Sequence, residues 1–152
     1  MLKVRVPVAA LHGDGANSAN VSGGIWLEIG EAVFPGVSWA DEPMSVLGSF
    51  KEALTLLLGG EEEADFYFFE GPYYVKLTRS RASLALVTVT AICDRYGLGD
   101  ASGQGVVQAV TESSLEELKE ALSCGIDIVH KWVRENAGAA ALEVADRLLD
   151  AH

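Results

Sequence analysis

The most regular pattern in the chain lies between Ala64 and Ile92, where apolar and polar side chains alternate. The apolar members of this alternation are Phe66, Phe68, Tyr73, Val75 and Leu77. A period of two is typical of β-strands that bury one face. Because Glu70-Gly71-Pro72 and Arg79-Ser80-Arg81 interrupt the pattern, it predicts three consecutive strands joined by two tight connections.

Two further strands are predicted ahead of this three-strand meander. The first runs from Leu2 to Leu11, and Pro7 places it at a sheet edge or marks a bulge. The second runs from Ile25 to Ile29, where the same alternation recurs. The segment between them, His12 to Gly24, is rich in Gly, Asn and Ser, and this composition predicts a loop.

Three helices are predicted from apolar residues that recur every three or four positions. The first begins after Asp41, which can cap it, and ends at Gly59-Gly60. The second begins at Ser114, which has capping-box spacing to Glu117, and a final amphipathic helix follows Gly138. The predicted apolar face of the first helix consists of Val46, Leu47, Phe50, Leu54, Leu57 and Leu58.

The order of these elements favours an α+β fold. A loop from Asp94 to Gly105 and a strand from Val106 to Val110 complete the set. Because helices do not alternate with every strand, the order argues against a doubly wound parallel sheet. We expect a single domain over residues 1–152, with a mostly antiparallel sheet of five to six strands and helices packed on one face.

The charge balance limits the classes of partner. The chain has 152 residues, with 11 Lys and Arg against 22 Asp and Glu, a formal charge of −11. Such a surface repels nucleic acid and anionic membranes, so neither is expected as a direct partner. It suits a basic protein partner, or it only keeps the chain soluble.

Cysteine content and hydropathy indicate a cytoplasmic protein. Cys93 and Cys124 are too few for a disulfide scaffold, so both thiols are expected to be reduced. The apolar run at the N-terminus is too short for a signal peptide. No run approaches the ~20 apolar residues of a membrane span.

Candidate catalytic chemistry is sparse. The three histidines, His12, His130 and His152, have no metal-binding spacing, so no metal site is predicted. Gly13-Asp14-Gly15 begins like a dinucleotide-binding motif, but Ser18 stands where the third glycine would be. We therefore predict a protein that is not an enzyme and needs no cofactor.

Acidic residues concentrate in one segment. From Glu28 to Glu70 there are ten acidic residues and a single basic one, Lys51. A solvated turn explains part of this charge, and the alternative is a recognition face that steers a basic partner. Aromatic residues in the same segment favour an interface. The predicted partner-binding residues are Glu61, Glu62, Glu63, Asp65, Tyr67, Trp39, Asp41 and Glu42.

A series of motifs resembles the immunity proteins of bacterial polymorphic toxin systems, most closely those encoded beside wall-associated toxins. The motifs are Ile25-Trp26-Leu27, Phe34-Pro35-Gly36 with Trp39, the helix around Phe50 to Leu58, the aromatic strand from Phe66 to Tyr73, and the strand from Val87 to Ile92, and the resemblance covers about Ile25 to Arg134. The resemblance implies a protein that binds and neutralises a cognate toxin domain without catalysis. It transfers no individual residue role.

Two other hypotheses remain open from the sequence. One is a small ligand-binding protein or enzyme that uses the loops at His12 to Gly24 and Asp94 to Gly105. A deep pocket beneath both loops would favour it. The other is a homodimeric structural or interaction domain joined through the C-terminal helices.

Overall fold

The computed structural model describes residues 1–83, 85–94 and 105–150 and has an α+β architecture. Its helices are α1 (Pro43–Leu58), α2 (Leu115–Asn136) and α3 (Ala139–Leu149). Its strands are β1 (Leu2–Arg5), β2 (His12–Gly13), β3 (Val21–Gly24), β4 (Trp26–Ile29), β5 (Ala32–Phe34), β6 (Ala40–Asp41), β7 (Glu63–Tyr67), β8 (Tyr73–Arg79), β9 (Leu86–Cys93) and β10 (Val106–Ser114).

The described strands form three antiparallel sheets rather than one. The largest sheet has the order β10-β9-β8-β7, so the predicted meander is confirmed and β7 lies at an edge. The two smaller sheets have the orders β1-β4-β5 and β2-β3-β6. The prediction of a single sheet of five to six strands is therefore wrong.

The split between the two smaller sheets begins at Pro7. The predicted strand from Leu2 to Leu11 ends at Arg5, and a 3₁₀ helix, Val8–Ala10, follows. Proline has no N–H to continue a ladder, so the chain turns at this point. His12 consequently pairs with Ser22 in a different sheet.

The predicted loop from His12 to Gly24 holds for residues 14–20, but its two ends form the hairpin of β2 and β3, so the prediction is wrong there. A Cβ at Gly23 would lie 2.8 Å from both the carbonyl oxygen of Ala10 and Cδ2 of Leu11. Only glycine fits this close approach. At Gly23, therefore, the glycine reflects tight packing of a strand and not a loop.

The first helix packs its apolar face against the edge of the large sheet. Phe50 stacks in parallel on Phe66, with ring centroids 4.4 Å apart and planes at 6°. Gly59 follows the last helical residue, as predicted. Leu58 lies at this end of the helix, at the rim of the core, and is 39% exposed, so its assignment to the buried face is wrong.

The C-terminal helices confirm the predicted cap. Ser114 is the N-cap of α2, and its Oγ accepts the N–H of Glu117 at 3.0 Å.

The end of α3 is held by Lys51 of α1. The ammonium donates to the backbone carbonyls of Arg147, Leu148 and Asp150 at 2.9, 3.2 and 2.7 Å. Carbonyls at a helix C-terminus favour a cation, so this contact fixes α3 against α1.

Candidate partner-binding surface

Asp41, predicted to cap α1 and to contact a partner, does not cap the helix and is only 3% exposed. The N-cap is Glu42, and no side chain caps the helix. The Asp41 carboxylate instead accepts four N–H groups of its own chain. The donors are Trp39 Nε1 at 2.9 Å, Glu42 N at 2.7 Å, Phe69 N at 3.2 and 3.0 Å, and Glu70 N at 3.2 Å.

These hydrogen bonds fix the segment after β7 against the start of α1. Trp39 is oriented by its bond to Asp41 and packs edge-on against Tyr73, with ring centroids 5.1 Å apart. Gly71 lies so close to the indole that a Cβ there would be 2.9 Å from the ring. Trp39 is therefore half-buried and held by its own chain, although part of it reaches the surface.

A groove runs between α1 and the free edge of β7. Its volume is about 630 Å³, and its walls are Ser45, Ser49, Glu52, Ala53, Leu56, Asp65, Tyr67 and Phe69. Ser49 Oγ accepts the backbone N–H of Tyr67 at 3.0 Å and joins the two walls. Three large side chains in the groove stay open to solvent: Leu56 is 47% exposed, Tyr67 48% and Phe69 52%.

Acidic residues of β7 share one cation on the neighbouring strand. Lys76 Nζ lies 3.3 Å from Asp65 Oδ1 and 3.6 Å from Glu63 Oε1. Burial favours the neutral amine of Lys76, but the attraction of the nearby Asp65 and Glu63 carboxylates outweighs burial and raises its pKa. Two carboxylates and one ammonium leave a net negative charge at this strand.

Several other carboxylates of the acidic segment, of which only Glu52 lines the groove, have no ion-pair partner within the described part of the chain. They are Glu42, Glu52, Glu61, Glu62 and Glu70. Lys51 also belongs to the acidic segment, but its ammonium is held by the end of α3. The negative charge of this region is therefore left to attract a cation from outside.

The structure places only some of the predicted partner-binding residues on one exposed surface. Glu63, Asp65 and Tyr67 alternate along β7, so their side chains share the sheet face that points away from the core. Glu61 and Glu62 are exposed in the turn that precedes β7. Asp41 is excluded by burial, and Glu28, of the same acidic segment, pairs with Arg5 on β1.

Of the groove residues the sequence predicted only Asp65 and Tyr67, and among those it missed are Glu52, Leu56 and Phe69. Leu56 lies outside the apolar face that the helical period predicts, and an apolar residue there is a usable signal. Phe69 follows the buried Phe68, so the alternation already placed it on the exposed side. Glu52 carried no comparable signal, because an acidic residue on the polar face of a helix is ordinary.

A pair of tyrosines extends the aromatic surface from the groove onto the open sheet face. Tyr67 and Tyr74 are cross-strand neighbours with ring centroids 6.1 Å apart. Burial, with a smaller effect of the Asp65 charge, raises the pKa of Tyr74 above its usual range. Tyr74 therefore stays neutral at physiological pH and adds an aromatic surface without adding charge.

One contact bears on the alternative hypothesis of a ligand-binding protein or enzyme that uses the predicted loops. His12 Nε2 lies 2.7 Å from Ser22 Oγ at the mouth of an open cleft of about 420 Å³. Among the described residues no carboxylate bonds His12, and no three His, Cys, Asp or Glu side chains form a group suited to a metal ion. Most of the second predicted loop, Asp94 to Gly105, lies outside the described residues.

No protein-family model, curated protein or solved structure matches this chain. The resemblance to immunity proteins therefore stays a prediction. Within residues 1–83, 85–94 and 105–150, no helix is both long and apolar enough to cross a bilayer.

Proposed function

We propose that the protein is an immunity-type inhibitor that binds a basic toxin domain through the groove between α1 and β7. The observation that carries this proposal is the groove itself: exposed aromatic and aliphatic side chains lie beside Glu52, which has no ion-pair partner among the described residues, and beside Asp65, which shares Lys76 with Glu63. Interfaces commonly combine a central aromatic anchor with a polar rim. The residues assigned to the contact are Glu52, Leu56, Glu61, Glu62, Glu63, Asp65, Tyr67 and Phe69.

The excess negative charge gives the groove its selectivity. A field of one sign raises the association rate of an oppositely charged partner and disfavours acidic competitors. A toxin that acts on nucleic acid carries a basic cleft, and this cleft is the natural complement of the groove. Inhibition then consists of covering the cleft, and it requires no chemistry from the inhibitor.

The proposal extends to location and mechanism. An inhibitor that protects a cell from its own toxin acts where the toxin substrate is, and for nucleic acid that place is the cytoplasm. Catalytic residues are unnecessary, because tight and rapid association alone removes the toxin activity. The role of the acidic surface is therefore to raise the rate of association with the toxin.

Affinity capture from a lysate of the native cell tests this proposal. We expect the tagged protein to recover a basic toxin domain at equal stoichiometry, and we expect high salt to release it. Adding the purified protein to that domain should abolish its toxic activity. Recovery of only the protein itself, or a captured domain that stays active in the complex, would reject the proposal.

A further inference from the structure

The walls of the groove carry features that select one kind of side chain from the partner. Glu52 on α1 and Asp65 on β7 belong to facing walls. Tyr67 and Phe69 lie along the β7 side, and about half of each side chain is exposed. Asp65 already pairs with Lys76, so the unpaired negative charge of the lining comes from Glu52, and the groove combines this charge with aromatic surface, the two features that bind a delocalised cation.

Backbone geometry adds further acceptors. Phe68 N donates to Tyr73 O, and Arg79 N donates to Glu62 O, so even-numbered residues of this strand pair with β8. In an antiparallel ladder the intervening residues turn their N–H and C=O groups the other way. The carbonyls of Asp65 and Tyr67 therefore point to the other edge of β7, with which none of the described strands pairs.

Two donors on this edge already have partners in their own chain. Tyr67 N–H bonds Ser49 Oγ, and Phe69 N–H bonds Asp41. The Asp65 N–H also faces this edge, but two carbonyls and the carboxylates of Glu52 and Asp65 make the groove richer in acceptors than in donors. A ligand that fits must bring several donors and a positive charge, and it must also tolerate an aromatic face.

We infer that the groove is the binding site of an arginine side chain supplied by the basic partner, a conclusion that rests on the proposed function. The guanidinium offers five N–H donors in a plane and stacks on aromatic rings. Lysine concentrates its charge on a compact, strongly hydrated ammonium and stacks poorly. Leu56 lines the same groove and packs against the aliphatic stem of the arginine.

Titration of the ¹⁵N-labelled full chain with N-acetyl-L-arginine methylamide tests the inference. We expect saturable shifts of the backbone amides of Ser49, Glu52, Tyr67 and Phe69. The citrulline analogue has the same shape without the charge and should cause none of them. The lysine analogue should bind at least about threefold more weakly.

Two variants and one control connect the shifts to the groove. Glu52→Gln removes an exposed charge without disturbing the fold and should weaken arginine binding about fivefold. Tyr67→Ala removes the aromatic face and should weaken it about threefold. Glu120→Gln, on the exposed face of α2, loses the same charge away from the groove and should leave binding unchanged.

The same spectra contain the outcomes that overturn the inference. Equal shifts with the citrulline or lysine analogue, shifts confined to other surfaces, or normal binding by Glu52→Gln would each reject it. Groove shifts that appear when only the protein concentration is raised would assign the site to a second copy of the chain. If the arginine analogue binds but no toxin is captured from lysate, the site stands and the proposed function fails.

Discussion

Both carboxylate oxygens of Asp41 accept the backbone N–H of Phe69, at 3.2 and 3.0 Å. The two residues are 28 positions apart, and the contact joins the start of α1 to the segment that follows β7. One wall of the groove is therefore fixed to the other by a buried carboxylate. The Asp41 carboxylate holds the backbone of Phe69 on the buried side, and the aromatic side chain of Phe69 therefore faces solvent.

Replacing Asp41 should loosen this connection. Asp41→Asn leaves one oxygen in place of two and turns an amide NH₂ group toward N–H donors. The expected cost is about 2 kcal/mol in the free energy of unfolding, measured by urea denaturation. Asp127→Asn, on the exposed side of α2, is the matched control and should change stability little. Equal stability of both variants would contradict the role assigned to Asp41.

Lys76 stabilises the acidic strand, so its removal should have a pH-dependent cost. Lys76→Gln leaves Glu63 and Asp65 without their shared cation and should lower stability by about 0.5 kcal/mol at pH 7. The pKa of Lys76 is raised in the folded state. Its contribution is therefore complete below the ordinary lysine pKa of about 10.4 and is lost as pH rises through the higher folded value.

Urea denaturation of the wild-type protein and Lys76→Gln between pH 7 and 11 checks this prediction. The difference in stability should stay constant up to about pH 10 and then shrink. A difference that grows with pH would contradict the assigned sign. Lys119→Gln on α2 loses an exposed intrahelical pair with Glu116 and should cost less at every pH.

Gly48 and Gly125 both lie inside helices but meet different surroundings. A Cβ at Gly48 would have its nearest neighbour, Leu148 Cδ2, at an ordinary 3.7 Å. Gly48→Ala should therefore stabilise the protein by about 0.5–1 kcal/mol through helix propensity. A Cβ at Gly125 would lie 2.9 Å from Leu47 Cδ2 and 3.1 Å from Val4 Cγ1.

Gly125→Ala should accordingly destabilise the protein. The gain in helix propensity is the same as at Gly48, but overpacking against buried side chains costs about 1–3 kcal/mol. Thermal unfolding of the two variants beside the wild type measures the contrast directly. If both variants raise the midpoint, the close approach of α2 to α1 and β1 is not as tight as these distances require.

The parts of the fold that follow from the sequence are those specified by local periodicity. The meander from β7 to β9 and the helix boundaries at Gly59 and Ser114 depend on residues a few positions apart, and they were predicted correctly. The division into three sheets depends on which distant strands pair. Periodicity contains no information on that choice, and Pro7 and Gly23 suggested an edge and a loop instead.

The candidate site shows the same limit. Glu63, Asp65 and Tyr67 could be placed on one face because they alternate along a single strand. The role of Asp41 could not, because two of its four donors, Phe69 and Glu70, lie 28 and 29 positions further along the chain. The helical wall of the groove could not be predicted from the sequence either, since its position beside β7 depends on tertiary packing.

The measurement that tests the central claim most directly is the association rate of the captured toxin domain with two charge-reversed variants. Glu61→Lys/Glu62→Lys reverses the charge of the turn beside the groove, where Glu61 N–H bonds the carbonyl of Leu56, whereas Asp127→Lys/Glu135→Lys makes the same change in net charge on α2. We predict that the first variant associates at least about tenfold more slowly at low salt, and that the second stays within about twofold of the wild type. Equal rates for both variants would contradict the assignment of this groove as the partner-binding surface.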